Sequence, residues 1–380
     1  MEQPASPLVT VCIPAHNAAR HIGATLKSVS EQSYRQLEII VVDDGSTDDT
    51  CAIVMSAARA DARIRLLCQK NQGVAVARNL AIHYSRGEYI APLDADDLWF
   101  PEKIEKQVQC IGASPASVGL VYAWSVNVSE GGARLGHCGH WEAEGRVLMP
   151  LLFRNFLGSA SVPLIKRGVF DEVGAYDPLL RAQHAQGCED WDLYLRIAEK
   201  YDYRVVPEHL VGYRNVKGSM SGDFTAMSRS YQLVISRVLQ RHPEVPRRVV
   251  QWSAAMFFLY LLTKSHGVAN YRACLHWHHR AMKADPQILI SRSLNRLYVI
   301  SVVKLALKPL FVMLWPQAER RVRVRRKMRV LRWRLARLLH LRRRRKKEHL
   351  DLYDRILERR WKMLLTQNSG VQGPGVRVQG

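Results

Sequence analysis

The order of the first hundred residues constrains this chain most: runs of apolar and β-branched residues alternate with segments of helical spacing. Leu8–Pro14 is a short apolar run, and His21–Ser33 sets Ile22, Leu26 and Val29 on one helical face. Glu38–Val42 is almost wholly apolar, as in a strand covered on both sides in a parallel sheet. Ile64–Cys68 reads as a third strand, Val74–His83 as a helix and Tyr89–Leu93 as a fourth strand. Such alternation implies right-handed crossovers and a doubly wound α/β sheet. Ligands of such sheets bind outside the carboxyl ends of the strands. Three of those ends carry Ala15-His16-Asn17, Asp43-Asp44-Gly45-Ser46 and Asp94-Ala95-Asp96-Asp97, so acidic and polar residues gather where a site belongs. Ser46 or Thr47 is the expected N-cap of the helix after the second of these ends.

Residues 110–220 are less regular, with short strands at Val118–Tyr122 and Tyr203–Val206 and a helix over Asp190–Lys200. From Asp223 onward the pattern is helical, with apolar segments such as Trp252–Leu262. The expected division is an α/β domain over 1–222, a helical region over 223–315, a basic amphipathic segment over 316–369 and a disordered Gly-rich end over 370–380.

Charge separates these parts. The chain has 56 Lys and Arg against 34 Asp and Glu, a formal +22. Sixteen of the basic residues, with Glu319 as the one acid, stand between Pro316 and Lys347. The preceding 315 residues carry only +6, which argues against a whole-molecule nucleic-acid coat. Trp333 alone among those arginines offers a base-stacking ring, so no nucleic-acid partner is expected. Val324, Met328, Leu331, Leu335 and Leu338 step by four and three, as on an amphipathic helix. A helix basic on one face and apolar on the other suits an anionic membrane surface. Residues 297–347 would then form the contact, with Leu297–Trp315 dipping into the interface. A second stripe, Leu350, Tyr353, Leu357, Trp361 and Leu364, equally suits a docking arm or a homo-oligomeric coil. Lys304, Lys308 and Pro309 interrupt the nearest approach to a membrane span. With no signal peptide read at the N-terminus, the expected location is cytoplasmic, peripheral to the inner face of the membrane. The seven cysteines are scattered with no C-x-x-C pair, so a reducing compartment is expected and a zinc site is not.

The strongest chemical cluster is Asp94-Ala95-Asp96-Asp97, three carboxylates within four positions at a strand end. Their mutual repulsion is costly unless a cation or a ring of donors sits there. Hard oxygen ligands of this kind suit Mg²⁺ or Mn²⁺. The other readings are a solvated acidic turn, and a cap by Asp97 on the helix that begins near Pro101-Glu102.

The order of motifs around this cluster resembles the family 2 glycosyltransferases of GT-A fold. It runs from Thr10-Val-Cys-Ile-Pro-Ala-His-Asn17 through Glu38-Ile-Ile-Val-Val-Asp-Asp-Gly-Ser-Thr-Asp48 and Gly73-Val-Ala-Val-Ala-Arg-Asn79 to Gly87-Glu-Tyr-Ile-Ala-Pro-Leu-Asp-Ala-Asp-Asp97. Gln32-Ser-Tyr34, Trp99–Ile104, Glu189-Asp190-Trp-Asp-Leu-Tyr-Leu-Arg196, Tyr213-Arg214 and Ser219-Met-Ser221 also fall where that family has such motifs, so the resemblance covers residues 8 to about 221. It implies a mostly parallel central sheet, a nucleotide-sugar donor with UDP as the default base, and a glycan or lipid-linked acceptor. It also implies Mn²⁺ or Mg²⁺ as cofactor.

Carried onto this chain, the resemblance makes Asp44 the acceptor of a hydrogen bond from the donor base. Pro14, Ala15, His16 and Asn17 line the base pocket, with the His16 imidazole stacking on the base or simply satisfied in its loop. Arg78 approaches the donor phosphates, or else is a surface helix arginine. Asp94 holds the ribose side, Asp96 holds the metal, and Asp97 faces the acceptor or caps its helix. Asp190 is the candidate base with Glu189 beside it; alternatively Asp190 caps its helix and Glu189 pairs with an arginine. Arg214 and Lys217 contact the diphosphate or lie in a solvated loop. Val216 stands where the family often has a histidine near the metal, so no metal role is assigned to that loop. The alternative to an inverting transferase is a non-catalytic scaffold acting through its basic tail.

Overall fold

A computed structural model describes residues 6–135, 141–214, 216, 222–314 and 351–368. The basic segment 316–347, Leu350, the Ser219–Ser221 motif, Lys217 and the Gly-rich end lie outside the described residues. The described residues divide into two compact units, one reaching to Val249 and resuming after Met363, the other Val250–Met363.

The first unit opens with β1 (Val9–Ala15), α1 (Ile22–Ser30), β2 (Leu37–Asp44), α2 (Thr50–Ala60), β3 (Ile64–Gln69), α3 (Val74–His83) and β4 (Tyr89–Pro92). There follow β5 (Leu98–Trp99), α4 (Lys103–Gly112), β6 (Val118–Val128), α5 (Leu148–Phe153), β7 (Leu164–Lys166), α6 (Gly168–Val173), α7 (Leu179–Ala182), α8 (Glu189–Lys200), β8 (Asp202–Arg214) and α9 (Phe224–Arg241). The strands form one sheet in the order β3-β2-β1-β4-β7-β6-β8-β5. Strands β3, β2, β1 and β4 run parallel. β7 is antiparallel to both β4 and β6, β8 is parallel to β6, and β5 is antiparallel to β8. The central sheet is therefore mostly parallel, as expected.

Every residue of β1 and β2 is buried, which the continuous apolar runs demanded of strands with helices on both faces. Apolar positions in the helices return at helical spacing: Ile22, Leu26 and Val29 of α1 are all buried. Two strands were too short to carry a pattern, β5 and β7, yet both position the acidic loop. β7 brings the preceding Ser159-Ala-Ser161 alongside the end of β4, and β5 pairs Leu98 with Gly212 so that Arg214 reaches Asp96 and Asp97. Strands β6 and β8 are longer than their apolar cores, because β6 continues through Trp124–Val128 beside β8. The expected cap by Ser46 or Thr47 is corrected: α2 starts at Thr50, and Asp48 Oδ1 accepts from the Thr50 amide at 3.1 Å. Ser46 Oγ is instead engaged by the Asn17 amide at 2.9 Å.

The second unit contains α10 (Arg247–Gly267) from Val250 onward, α11 (Tyr271–Ala284), α12 (Arg292–Leu314) and α13 (Leu352–Asn368) as far as Met363. Its polar keystone is Asp285, buried, which accepts from the Tyr353 hydroxyl at 2.9 Å and pairs with the buried Arg360. The apolar stripe Tyr353, Leu357, Trp361 is buried on α13, as its spacing required. No described helix is long and apolar enough to cross a membrane.

Removing one partner of a buried ion pair strands the other charge. Asp285→Ala is therefore expected to destabilise the helical unit by about 3 kcal/mol, measured by chemical denaturation followed at a Trp in that unit; an unchanged midpoint would refute the keystone role.

Candidate active site

The site is built where β1, β2 and β4 end. The turn after β1 is closed by Asn17, whose φ of +48° suits the left-handed region that asparagine tolerates. Its Oδ1 accepts from the Thr47 amide at 2.8 Å, tying the end of β1 to the turn after β2. Pro14 and Ala15 are buried strand residues, whereas His16 is exposed at the mouth. The His16 ring lies 3.0 Å from the Asp44 carbonyl oxygen and within 3.1 Å of the Asn71 amide, so its loop does satisfy it while leaving the ring accessible.

Asp44 is buried and organises a loop. Oδ1 accepts from Gln69 Nε2 and from the Gln72 amide, both at 2.7 Å, and Oδ2 accepts from the Gly73 amide at 2.8 Å. That leaves about one of a carboxylate's four acceptor positions unused. Gly73 has φ +96°, which favours glycine, and a Cβ there would come within 2.7 Å of the flexible Arg181 side chain and displace it. The cleft beside it is lined by Gln72, Gly73, Arg181, Gln186 and Glu189.

The acidic loop is held from every side. From α1, the Thr25 hydroxyl lies 2.9 Å from both the Ala95 and the Asp97 carbonyl oxygens. Ser161 Oγ accepts from the Asp94 amide at 3.0 Å and donates to Asp97 Oδ2 at 2.6 Å. Asp97 also accepts from Ser159 Oγ at 3.1 Å and from the Arg214 amide at 2.9 Å. It is 1% exposed, so the capping reading is corrected: α4 begins at Lys103, and the Asp97 carboxylate is consumed by these donors. Arg214 is likewise not part of a solvated loop; it is 3% exposed and its Nη1 donates to the Asp96 carbonyl at 2.7 Å.

Arg78 lies at the centre. Its side chain is 3% exposed and pairs with Asp94, while Nη1 stands 3.6 Å from Glu189 Oε1. The surface-arginine reading is thereby corrected, and the arginine that Glu189 meets is this one. Burial opposes the guanidinium's charge, but Asp94, Tyr176 and Glu189 outweigh it and hold it protonated. The Tyr176 ring lies under the guanidinium at 5.0 Å, and Asn79, one residue along α3, clamps the Tyr176 backbone through both amide atoms at 2.7 and 2.9 Å. Asp190, half-buried at the start of α8, accepts from the Trp191 amide at 2.7 Å.

Negative charge exceeds its compensation here. Burial and the neighbouring Asp94 push Asp96 up to about 6, and burial with Glu189 pushes Asp190 up to about 7 against the opposing pull of Arg78. Burial, Asp94 and Asp96 drive Asp97 well above the usual carboxylate range. Carboxylates that retain protons near neutrality for want of positive charge are a fitting host for a hard divalent ion. Asp96 is half-buried beside Asp94.

The structure thus brings together Asp94, Asp96, Asp97, Arg78, Glu189, Asp190 and Arg214 beyond the carboxyl end of the interior strand β4, with His16 and Asp44 at the ends of β1 and β2; Lys217 lies outside the described residues. Sequence reasoning missed Ser159, Ser161, Asn71, Asn79 and Tyr176. Asn79 was within reach, being the last residue of Ala77-Arg78-Asn79; nothing local marks the serines.

A doubly wound half joined to a mixed half, with an acidic loop at the joining strand, is the architecture of a GT-A glycosyltransferase domain. Residues 10–170 match the family model described as glycosyl transferase family 2, and this part of the chain belongs to that family. It is similar to the putative teichuronic acid biosynthesis glycosyltransferase TuaG of Bacillus subtilis (strain 168), 44% identical over 104 residues, covering 27% of this chain and 41% of that protein. Another relative is the UDP-Glc:alpha-D-GlcNAc-diphosphoundecaprenol beta-1,3-glucosyltransferase WfaP of Escherichia coli, 42% identical over 104 residues, 27% of this chain and 40% of that one. The chain thus spans less than half the length of these two relatives. Among solved structures, S. aureus TarS 1-349 in complex with UDP aligns with a TM-score of 0.51 at 15% identity, covering 77% of this chain and 88% of that one, a likeness of fold.

Arg78→Met keeps the packing volume and removes the charge. It is expected to cost about 3 kcal/mol of stability by stranding Asp94 and Glu189, read from urea denaturation. A loss below 1 kcal/mol would contradict the shared ion pair.

Proposed function

We propose that the protein transfers a glycosyl group from a UDP-sugar to a hydroxyl of a glycan or lipid-linked acceptor, with inversion at the anomeric carbon. One observation carries this: Asp94 and its near neighbour Asp96, and Asp190 far along the chain, all interact with Arg78 at the carboxyl ends of the strands. The family of residues 10–170, the UDP-Glc donor in the name of the E. coli relative and the UDP bound to the TarS fold support it.

In this reading Asp44 uses its remaining acceptor position for the base, and its other bonds shape the 69–73 loop that walls the pocket. His16 presents its exposed ring at the mouth, where an imidazole stacks on a base. Asp94 faces the ribose, oriented by Arg78, and Arg78 and Arg214 supply positive potential toward the diphosphate. When bound, Mn²⁺ or Mg²⁺ at Asp96 supplies the charge that stabilises a departing nucleoside diphosphate. Asp190 takes the proton of the acceptor hydroxyl as that oxygen attacks the anomeric carbon. A single in-line attack inverts the centre, in parallel with one-base glycoside chemistry. Glu189 tunes this base, since its charge helps hold the Asp190 carboxyl near neutrality.

The acceptor side is argued from α12. Tyr298, Val299, Val302, Val303 and Leu307 are exposed, and residues 286–314 contain Arg292, Arg296, Lys304 and Lys308 with no acid. An apolar face with only basic company suits an anionic bilayer, where a lipid-linked acceptor would be met by a peripheral enzyme.

Two outcomes test these readings. The base must be deprotonated, so kcat/KM with UDP-sugars and Mn²⁺ is expected to rise through an acid limb near pH 7 and level off above it. Asp190→Asn should lower kcat by about 10²–10⁴-fold and flatten that limb. A full-rate Asp190→Asn enzyme rules out the base, and failure of the native protein to hydrolyse or transfer any nucleotide sugar favours the scaffold. For the membrane contact, native protein should co-sediment with anionic vesicles but not neutral ones, and Val299→Asp with Val303→Asp should weaken this at least ~10-fold. Equal sedimentation of native and variant chains would rule out α12 as the contact.

A further inference from the structure

Next to Asp44 the fold assembles a second group of side chains that glycosyl transfer does not use. Cys51 is in the first turn of α2, and Cys68 is on β3, where the β2–β3 register sets it opposite Asp43. One carboxylate oxygen of Asp43 and the two Sγ atoms all lie within 4.8 Å of one another. Sequence spacing, with no two cysteines at ligand distance, gave no hint of this; β-sheet register creates it.

Asp43 is 3% exposed. Its Oδ2 accepts from the Ser46 amide at 3.0 Å, but Oδ1 is buried without a hydrogen-bond partner. A buried carboxylate oxygen left in that state is costly. Cys51 is half-buried and Cys68 exposed, which gives an ion a path in.

Two sulfurs and one carboxylate oxygen match the donors of zinc. With a Zn–S bond of about 2.3 Å, tetrahedral ligands stand about 3.8 Å apart, so side-chain movements of about 1 Å would close this cluster on an ion. We propose that Asp43, Cys51 and Cys68 form a three-ligand site for a thiophilic divalent cation of the zinc class, with water as the fourth ligand. Two metal–sulfur bonds form as two thiol protons pass to solvent. The site differs in chemistry from the hard-oxygen centre at Asp96. Because Asp43 precedes Asp44, an occupied site cross-links β2, β3 and α2 directly behind the base pocket.

Cobalt reports it. Co²⁺ added to the full chain under a phosphine reductant should give a near-ultraviolet sulfur-to-cobalt charge-transfer band, with tetrahedral visible bands, saturating at one equivalent and reversed by Zn²⁺. Cys51→Ser and Cys68→Ser should each weaken Co²⁺ binding at least ~100-fold, and Asp43→Asn at least ~10-fold. Asp96→Ala should leave the band in place, so this result stands apart from the outcome of the transfer assay. Absence of the band, its survival in both serine variants, or a Cys51–Cys68 disulfide under the same reductant (a mass lower by about 2 Da, one hydrogen lost from each thiol) would overturn the proposal.

Discussion

The buried guanidinium of Arg78 is the contact on which the rest of the site depends. It comes from the middle of α3, pairs with Asp94 at the end of β4 and faces Glu189 at the start of α8. Helix α8 is remote in sequence from the other two elements, and Arg78 ties it to them. With Arg214 as its only described neighbour of like charge on the acidic loop, Arg78 confronts Asp94, Asp96, Asp97, Glu189 and Asp190. Two cations face five carboxylates, and burial first, with the neighbouring carboxylates second, pushes Asp96, Asp97 and Asp190 upward. The protein alone is short of positive charge here, and a divalent ion is what such a deficit favours.

Rigidity comes from neutral donors instead. The backbone of the acidic loop is pinned by Thr25 and Ser161, and Asp97 is pinned by two serines and an amide of β8. Asp97 therefore positions Arg214 and the loop through both of its carboxylate oxygens. The same division holds at the neighbouring strand end, where Asp44 shapes the 69–73 loop with three of its acceptor positions.

Sequence made the parallel half of the sheet legible because burial on both faces leaves nothing but apolar residues, as in Ile39–Val42. Helix α3 was readable to its ends for the same reason: apolar spacing begins after Gly73 and stops at His83. Short β5 and β7 were not, since two or three residues carry no period, and their existence depends on partners far along the chain. Every misread side chain failed in one way. The cap alternative for Asp97, the cap reading of Ser46 and the surface alternative for Arg78 fell because the partners that claim these side chains are not local: 62 to 117 positions away for Asp97, 29 for Ser46 and 16 to 111 for Arg78. The pairing of Cys51 with Cys68 was hidden by the same cause. Motif order found the site; only the fold shows what holds it.

We propose that this acidic centre takes up a cation before it accepts a diphosphate. Titration calorimetry of UDP into the full chain, with and without Mn²⁺, tests it directly. UDP should bind at least ~10-fold tighter, more than 1.4 kcal/mol, when Mn²⁺ is present, and Asp96→Ala should abolish that gain while leaving the weak metal-free binding. Equal UDP affinity with and without the ion, or a full metal effect in Asp96→Ala, would contradict the account.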